Sequence, residues 1–176
     1  FRPSPTYPWR SWEEVPDRPP PWAIKKRFFV EFFAGMAGIT IACLAIVMAV
    51  LPPVELEPQG HTEFAVDVLH ENFQRKIFAW IDDGAIALAH FGTPCSSFST
   101  ARRDDGGPIP LRDDQYPAGL PWLSTRDWEI AKEGNVLADL TAKIANRIAR
   151  ARGRFTIENP ISSWLWKMPG MKALHR

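Results

Sequence analysis

Three short segments carry side chains able to do chemistry. Gly92-Thr93-Pro94-Cys95-Ser96-Ser97-Phe98-Ser99 sets a cysteine behind a proline, just after an apolar run. Phe155-Thr156-Ile157-Glu158-Asn159-Pro160 sets a glutamate and an asparagine at the end of another. Upstream, Phe28-Phe29-Val30-Glu31-Phe32-Phe33-Ala34-Gly35-Met36-Ala37-Gly38 reads as a strand running into a glycine-rich turn. A thiol is a nucleophile, a carboxyl can give or take a proton, and Gly35 and Gly38 would let the backbone approach a cofactor. A nucleophile, an acid and a cofactor loop, each at a strand end, describe an α/β transferase site. Each residue also has a plainer reading. A lone cysteine is more often a small buried hydrophobe. Glu158 would serve equally as a helix cap or a surface acid, and the glycine turn as a tight strand-to-helix connection.

In order and spacing these segments resemble the DNA (cytosine-5) methyltransferases, over roughly residues 28 to 167. The family's acidic residue followed by Phe-x-Gly-x-Gly-Gly is represented by Glu31-Phe32-Phe33-Ala34-Gly35-Met36-Ala37-Gly38, with Ala37 where the closing glycine pair begins. Its Pro-Cys-Gln-x-Phe-Ser is represented by Pro94-Cys95-Ser96-Ser97-Phe98-Ser99, and its Glu-Asn-Val by Glu158-Asn159-Pro160. The resemblance implies methyl transfer from S-adenosylmethionine to carbon 5 of cytosine in DNA, through a covalent cysteine adduct. Cys95 is then the nucleophile, activated by a helix N-terminus or a nearby cation. Glu158 carries a proton at ring nitrogen 3, and Asn159 holds the nucleophile loop. Phe33, Ala34, Gly35, Gly38 and Pro94 line the cofactor. Glu55-Leu56-Glu57 matches the family's ribose-binding pattern, with Glu55 the choice and Glu57 the reserve. Ser99, Arg102 and Arg103 face the nucleic acid, RNA being as open as DNA. No metal is called for. The family's adenine-binding acid has no clear counterpart; Asp82 and Asp83 stand near its place but read as a helix end.

Two departures stand out. The stretch from Cys95 to Glu158 is longer than the family's usual one. The family's Gln-Arg-x-Arg strand, target-recognition domain and closing cofactor motif have no place after Glu158. The chain therefore reads as a partial catalytic domain of a longer product, which would supply the missing C-terminal half, or as a non-catalytic relic of one.

The elements that must position these residues follow from pattern. Phe28–Phe33, Val54–Leu56, Ala85–Phe91 and Arg154–Ile157 read as strands; 39–49, 63–73, 76–82 and a long segment through Leu137, Leu140, Ile144 and Ile148 read as helices. Ser124 and Asp127 form a capping-box start for the last. Strands alternating with helices imply a mostly parallel, Rossmann-like but incomplete sheet. Residues 1–27 are proline-rich and read as a helix-free arm or linker, with Trp9, Trp12 and Trp22 packing on something; residues 28–176 form the partial catalytic domain. Residues 100–123 form a long loop whose arginines Arg102, Arg103 and Arg112 suit phosphates, or else pair with Asp104, Asp105, Asp113 and Asp114. Lys143, Arg147, Arg150, Arg152 and Arg154 read as a solvated basic face.

Bulk composition bounds the rest. A hydrophobic fraction of 45% supplies a core, and a net charge of +1 creates no global field for a polyanion. Two cysteines make no disulfide framework, which fits a reducing intracellular compartment, nuclear or cytoplasmic. From Phe32 to Val54 there is no charged residue, so a membrane-anchored domain spanning 29–51 is a further reading. Gly35, Gly38 and two prolines interrupt that stretch, as the buried centre of a doubly wound sheet would.

Overall fold

The computed structural model describes residues 4–103 and 105–174. Asp104 lies outside them. The chain divides into two compact units: the first comprises residues up to Gly92 together with Ile144–Ile157, the second Thr93–Lys143 together with the residues from Glu158 onward.

The first unit is built on an open, all-parallel sheet of order β1-β2-β3, with β1 at Phe28–Phe32, β2 at Ile86–Phe91 and β3 at Arg154–Ile157. All five residues of β1 are buried, as expected for a strand covered on both faces. Register pairs Phe32 with Phe91 and Phe91 with Ile157, so the C-terminal ends of β2 and β3 are neighbours. The expected strand at 54–56 takes another form. Val50 and Val54 make isolated parallel bridges to Phe29 and Phe32, on the free side of β1. Pro52-Pro53 lies between the bridges, and two residues without N–H groups cannot continue a ladder.

Helix α2, Gly38–Ala45, is shorter than expected, and the 63–73 helix is absent. One helix, α3 at Glu71–Asp82, replaces the two foreseen there. Its Phe73, Ile77, Trp80 and Ile81 are buried, one stripe at helical spacing. The proline-rich arm also differs from expectation. Pro21–Lys26 forms a helix, α1, with a proline in its first turn, where a missing N–H costs nothing. The rest of the arm is packed: Trp12 Nε1 donates to Pro52 O at 2.9 Å, and Trp80 Nε1 to Pro16 O at 2.8 Å. The 29–51 stretch is spread over β1, α2 and the first bridge, and no helix among the described residues is long and apolar enough to cross a membrane.

The second unit contains the 100–123 loop, most of the 26-residue helix α4 (Thr125–Arg150) and the short helix α5 (Pro169–Leu174). Ser124 Oγ accepts from Asp127 N at 3.2 Å and donates to the Asp127 carboxylate at 2.5 Å, closing the capping box. Helix α4 runs on into the first unit as far as Arg150, and Gly153 follows the turn after it. A Cβ there would lie 2.9 Å from Ile86 O and 2.6 Å from Ile148 Cγ2, so only glycine fits.

Candidate active site

In the second unit the cysteine segment leaves β2 through Thr93 and Pro94. Cys95 is exposed, and its carbonyl accepts from Phe98 N at 2.9 Å, which closes a one-turn 3-10 helix over Ser96–Phe98. Ser97 and Phe98 are buried. The turn thus anchors by its far end and leaves the thiol open.

Two arginines hold that turn. Arg102 Nε donates to Ser96 O at 2.9 Å and Arg102 Nη1 to Ile109 O at 3.3 Å. Arg112 is 2% exposed and stacks 3.9 Å above the Phe98 ring. It donates to Ser97 O, Ser97 Oγ, Pro117 O, Ala131 O and Asn135 Oδ1, at 2.6 to 3.3 Å. All five donors of its fork are satisfied without a carboxylate. Burial, with the nearby Arg102 charge, pulls its pKa down to about 10. The sequence left both arginines open to phosphates or to the loop's aspartates. Arg112 is enclosed and cannot reach one, and Arg102 spends two of its N–H groups on the loop itself. Arg103 is exposed, while Ser99 is half-buried with its Oγ accepting from Ala101 N at 3.1 Å.

Gly134 explains why the turn can sit on α4. A Cβ there would lie 2.2 Å from Ser97 Oγ, 3.0 Å from Arg112 Nη2 and 3.2 Å from Phe98 Cε2. A helix-interior glycine costs about 1 kcal/mol relative to alanine, and here it leaves room for the turn.

The Glu158 segment meets the cysteine segment in this same unit. Asn159 Nδ2 donates to Thr93 O at 2.7 Å, two residues before Cys95. Thr93 Oγ1 lies 3.1 Å from Thr141 Oγ1 of α4, and Thr100 Oγ1 donates to Ser162 Oγ at 2.9 Å. Asn159 Oδ1 is buried and has no hydrogen-bond partner. Glu158 is exposed and has no side-chain partner among the described residues, and a turn rather than a helix follows it, so it caps nothing. Trp166 Nε1 donates to Pro160 O at 2.9 Å. Pro160 therefore still offers its carbonyl, although it has no N–H.

In the first unit the glycine loop joins β1 to α2. Phe33, Gly35 and Ala37 all have left-handed backbones, at φ 54°, 52° and 57°. Two of the three are not glycine, and such residues cost of order 1 kcal/mol or more each. Glu31, 4% exposed, accepts from both Thr40 N and Thr40 Oγ1 at 2.6 Å and so fixes the start of α2. Gly35 N donates to Glu55 Oε2 at 2.7 Å, and Glu55 Oε1 accepts from Glu57 N at 3.2 Å. The structure brings Glu55 to the loop, while Glu57 is exposed. Ala34 is buried, Phe33 half-buried and Pro94, in the other unit, exposed. Gly38 has no Cβ contact within 4 Å and a backbone open to any residue, so nothing in the loop's own geometry requires a glycine there.

Asp82 and Asp83 stand at the end of α3 and pair with Arg147 and Arg18. Among the described residues no group of three or more histidine, cysteine or carboxylate side chains could hold a metal. Sequence reasoning missed Arg112 as an anchor, and with it Thr93, Thr141 and Gly134. Only Gly134, a helix breaker inside a strong helical pattern, left a signal. Comparison of the chain with protein-family models, curated proteins and solved structures returns no match.

Proposed function

We propose that this chain carries the catalytic part of a DNA (cytosine-5) methyltransferase on a Rossmann-like fold. The observation that carries the reading is the Asn159–Thr93 hydrogen bond. It joins the Pro-Cys and Glu-Asn segments, which leave the neighbouring C-terminal ends of parallel strands, the usual place for an α/β site.

The residues present in the first unit suit S-adenosylmethionine. The left-handed turn at 33–37 lies beside the Glu55 carboxylate, which can accept from ribose hydroxyls. Phe33, Ala34, Gly35, Gly38 and Glu55 would hold the cofactor there. When bound, it supplies an electrophilic methyl group.

In the second unit the Cys95 thiolate adds to cytosine carbon 6. The ring's electron density moves toward carbon 5 while Glu158 gives its proton to nitrogen 3. Carbon 5, now enamine-like, becomes the nucleophile that is methylated. Loss of the carbon-5 proton to a base then expels the thiolate, and nitrogen 3 returns its proton to the Glu158 carboxylate, which restores the ring. The guanidinium groups of Arg102 and Arg112, bound to the carbonyls of Ser96 and Ser97, put positive charge close in the chain to the thiolate. Asn159 keeps the two segments in register.

Duplex DNA containing 5-fluorocytosine tests this, because fluorine cannot leave as a proton and the adduct persists. With S-adenosylmethionine present, the chain should form a denaturant-stable adduct, and a matching RNA decides between the nucleic acids. Cys95→Ser should abolish trapping and Cys43→Ser should not. Cys43 is buried, and its burial together with the Glu31 carboxylate pushes its thiol pKa up. A wild-type chain that forms no adduct would place it among the non-catalytic relics, and an adduct that survives Cys95→Ser would remove Cys95 from the mechanism.

A further inference from the structure

The basic run at the end of α4 is not explained by the chemistry above. The fold joins it to a second basic run more than a hundred residues away in sequence. Lys25-Lys26-Arg27 ends α1 just before β1; Arg150, Arg152 and Arg154 surround the turn into β3. Arg27 Nη2 donates to Arg152 O at 3.2 Å and to Ile86 O at 3.0 Å, so the two runs meet at the N-terminal ends of the strands. All of these residues belong to the first unit.

Charge is concentrated here although the whole chain carries only +1. Asp82 and Asp83, at the end of α3, are occupied by Arg147 and Arg18, and Asp17 by Lys76. Lys25, Arg150, Arg152 and Arg154 are exposed and have no ion-pair partner among the described residues. Helix dipoles account for part of the pattern, since Lys25, Lys26, Arg147 and Arg150 occupy last turns. They do not account for Arg27, Arg152 or Arg154.

The backbone gives a second, independent sign. Arg27 and Arg152 have left-handed φ of 54° and 61°, each just beyond a helix, where glycine is the unstrained choice. Both positions hold arginine instead. Backbone strain kept at two cationic positions marks a surface where charge is favoured over the unstrained residue.

We propose that this edge binds the phosphate backbone of nucleic acid without reading its sequence. Arginine forks pair with phosphate oxygens two at a time, and no base-reading element is present at these positions. The surface is separate from the cytosine chemistry and does not depend on it.

The test is fluorescence anisotropy with a labelled duplex of adenine and thymine only, titrated over a range of salt. Such a duplex holds no cytosine. The wild-type chain should bind with log K falling linearly in log salt, at about 0.9 per phosphate neutralised. The triple variant Arg150→Gln/Arg152→Gln/Arg154→Gln should lower that slope by about two to three, and Arg103→Gln, in the other unit, by about one at most. Arg152→Gly should lose its share of the slope while keeping or raising the melting temperature, because glycine relieves the left-handed backbone. A slope unchanged in the triple variant would overturn the proposal. So would absence of duplex binding alongside binding to phosphatidylserine vesicles, which would make the edge a lipid surface.

Discussion

At the scale of single residues, two positions carry the sharpest demands. Glu158 needs a proton and a position rather than mere negative charge. Glu158→Gln preserves shape and can still donate, but it cannot transfer a proton. It should keep the fold and cofactor affinity yet slow methyl transfer by about a hundredfold or more. Glu158→Asp should be slow as well, because the shorter side chain withdraws the carboxyl. Turnover and melting temperature measured together decide the point; an aspartate variant as fast as wild type would exclude the role. Gly134 makes the opposite kind of prediction. In an exposed helix Gly→Ala stabilises by about 1 kcal/mol. Here the new methyl would meet Ser97 Oγ and crowd the Arg112 fork, so Gly134→Ala should destabilise by about 1–3 kcal/mol, the usual scale of overpacking. Urea denaturation reads the sign directly. A more stable variant would mean that the turn after Cys95 does not rest on α4.

At the scale of elements, helix α3 and the end of α4 are tied by Arg147, which hydrogen-bonds and ion-pairs with Asp82 and lies over Phe78 at 4.6 Å. The Arg147 hydrogen bonds hold the Asp82 carboxyl below its ordinary range. A carboxylate lowered in the folded state stabilises above its unfolded pKa of about 3.9, and loses that contribution as pH falls through the lower folded value. Asp82→Asn should therefore melt below wild type at neutral pH, and the two curves should converge in acid, as the pH falls below the unfolded carboxyl value and through the lowered folded one. Both side chains are more than a third exposed, so the gap at neutral pH should not exceed about 2–4 °C. A gap that persists in acid would mean that the asparagine acts through packing rather than charge.

At the scale of the whole molecule, the proline-rich segment is part of the first unit's architecture. Trp12 is 6% exposed, lies edge-on to Phe73 at 4.9 Å and donates to Pro52 O; Lys76 Nζ donates to its carbonyl at 2.7 Å. Trp12→Ala should cost about 3–5 kcal/mol, as removal of a buried indole does elsewhere. Equilibrium urea unfolding measures it, and a loss below about 1 kcal/mol would return the segment to the status of a linker.

The sequence by itself determined where strands and helices alternate and which residues stand at strand ends, because those features are written in local periodicity and in glycine and proline. Phe28–Phe32, Ile86–Phe91 and the capped start of α4 were legible for that reason. The Asn159–Thr93 hydrogen bond joins distant segments, and only the family resemblance, not a local pattern, pointed to such a contact. The tertiary structure alone decided what long side chains do. An arginine in a loop looks the same in sequence whether it meets phosphate or a ring of carbonyls, and burial put Arg112 among carbonyls. It also decided that Trp12 of the proline-rich arm packs as core while Trp22 stays exposed, and that the stretch from 50 to 54 runs beside β1 without becoming a regular strand. Two basic runs far apart in sequence became one surface in the same way. Contacts between distant segments depend on how the sheet orders its strands, and no local pattern encodes that order.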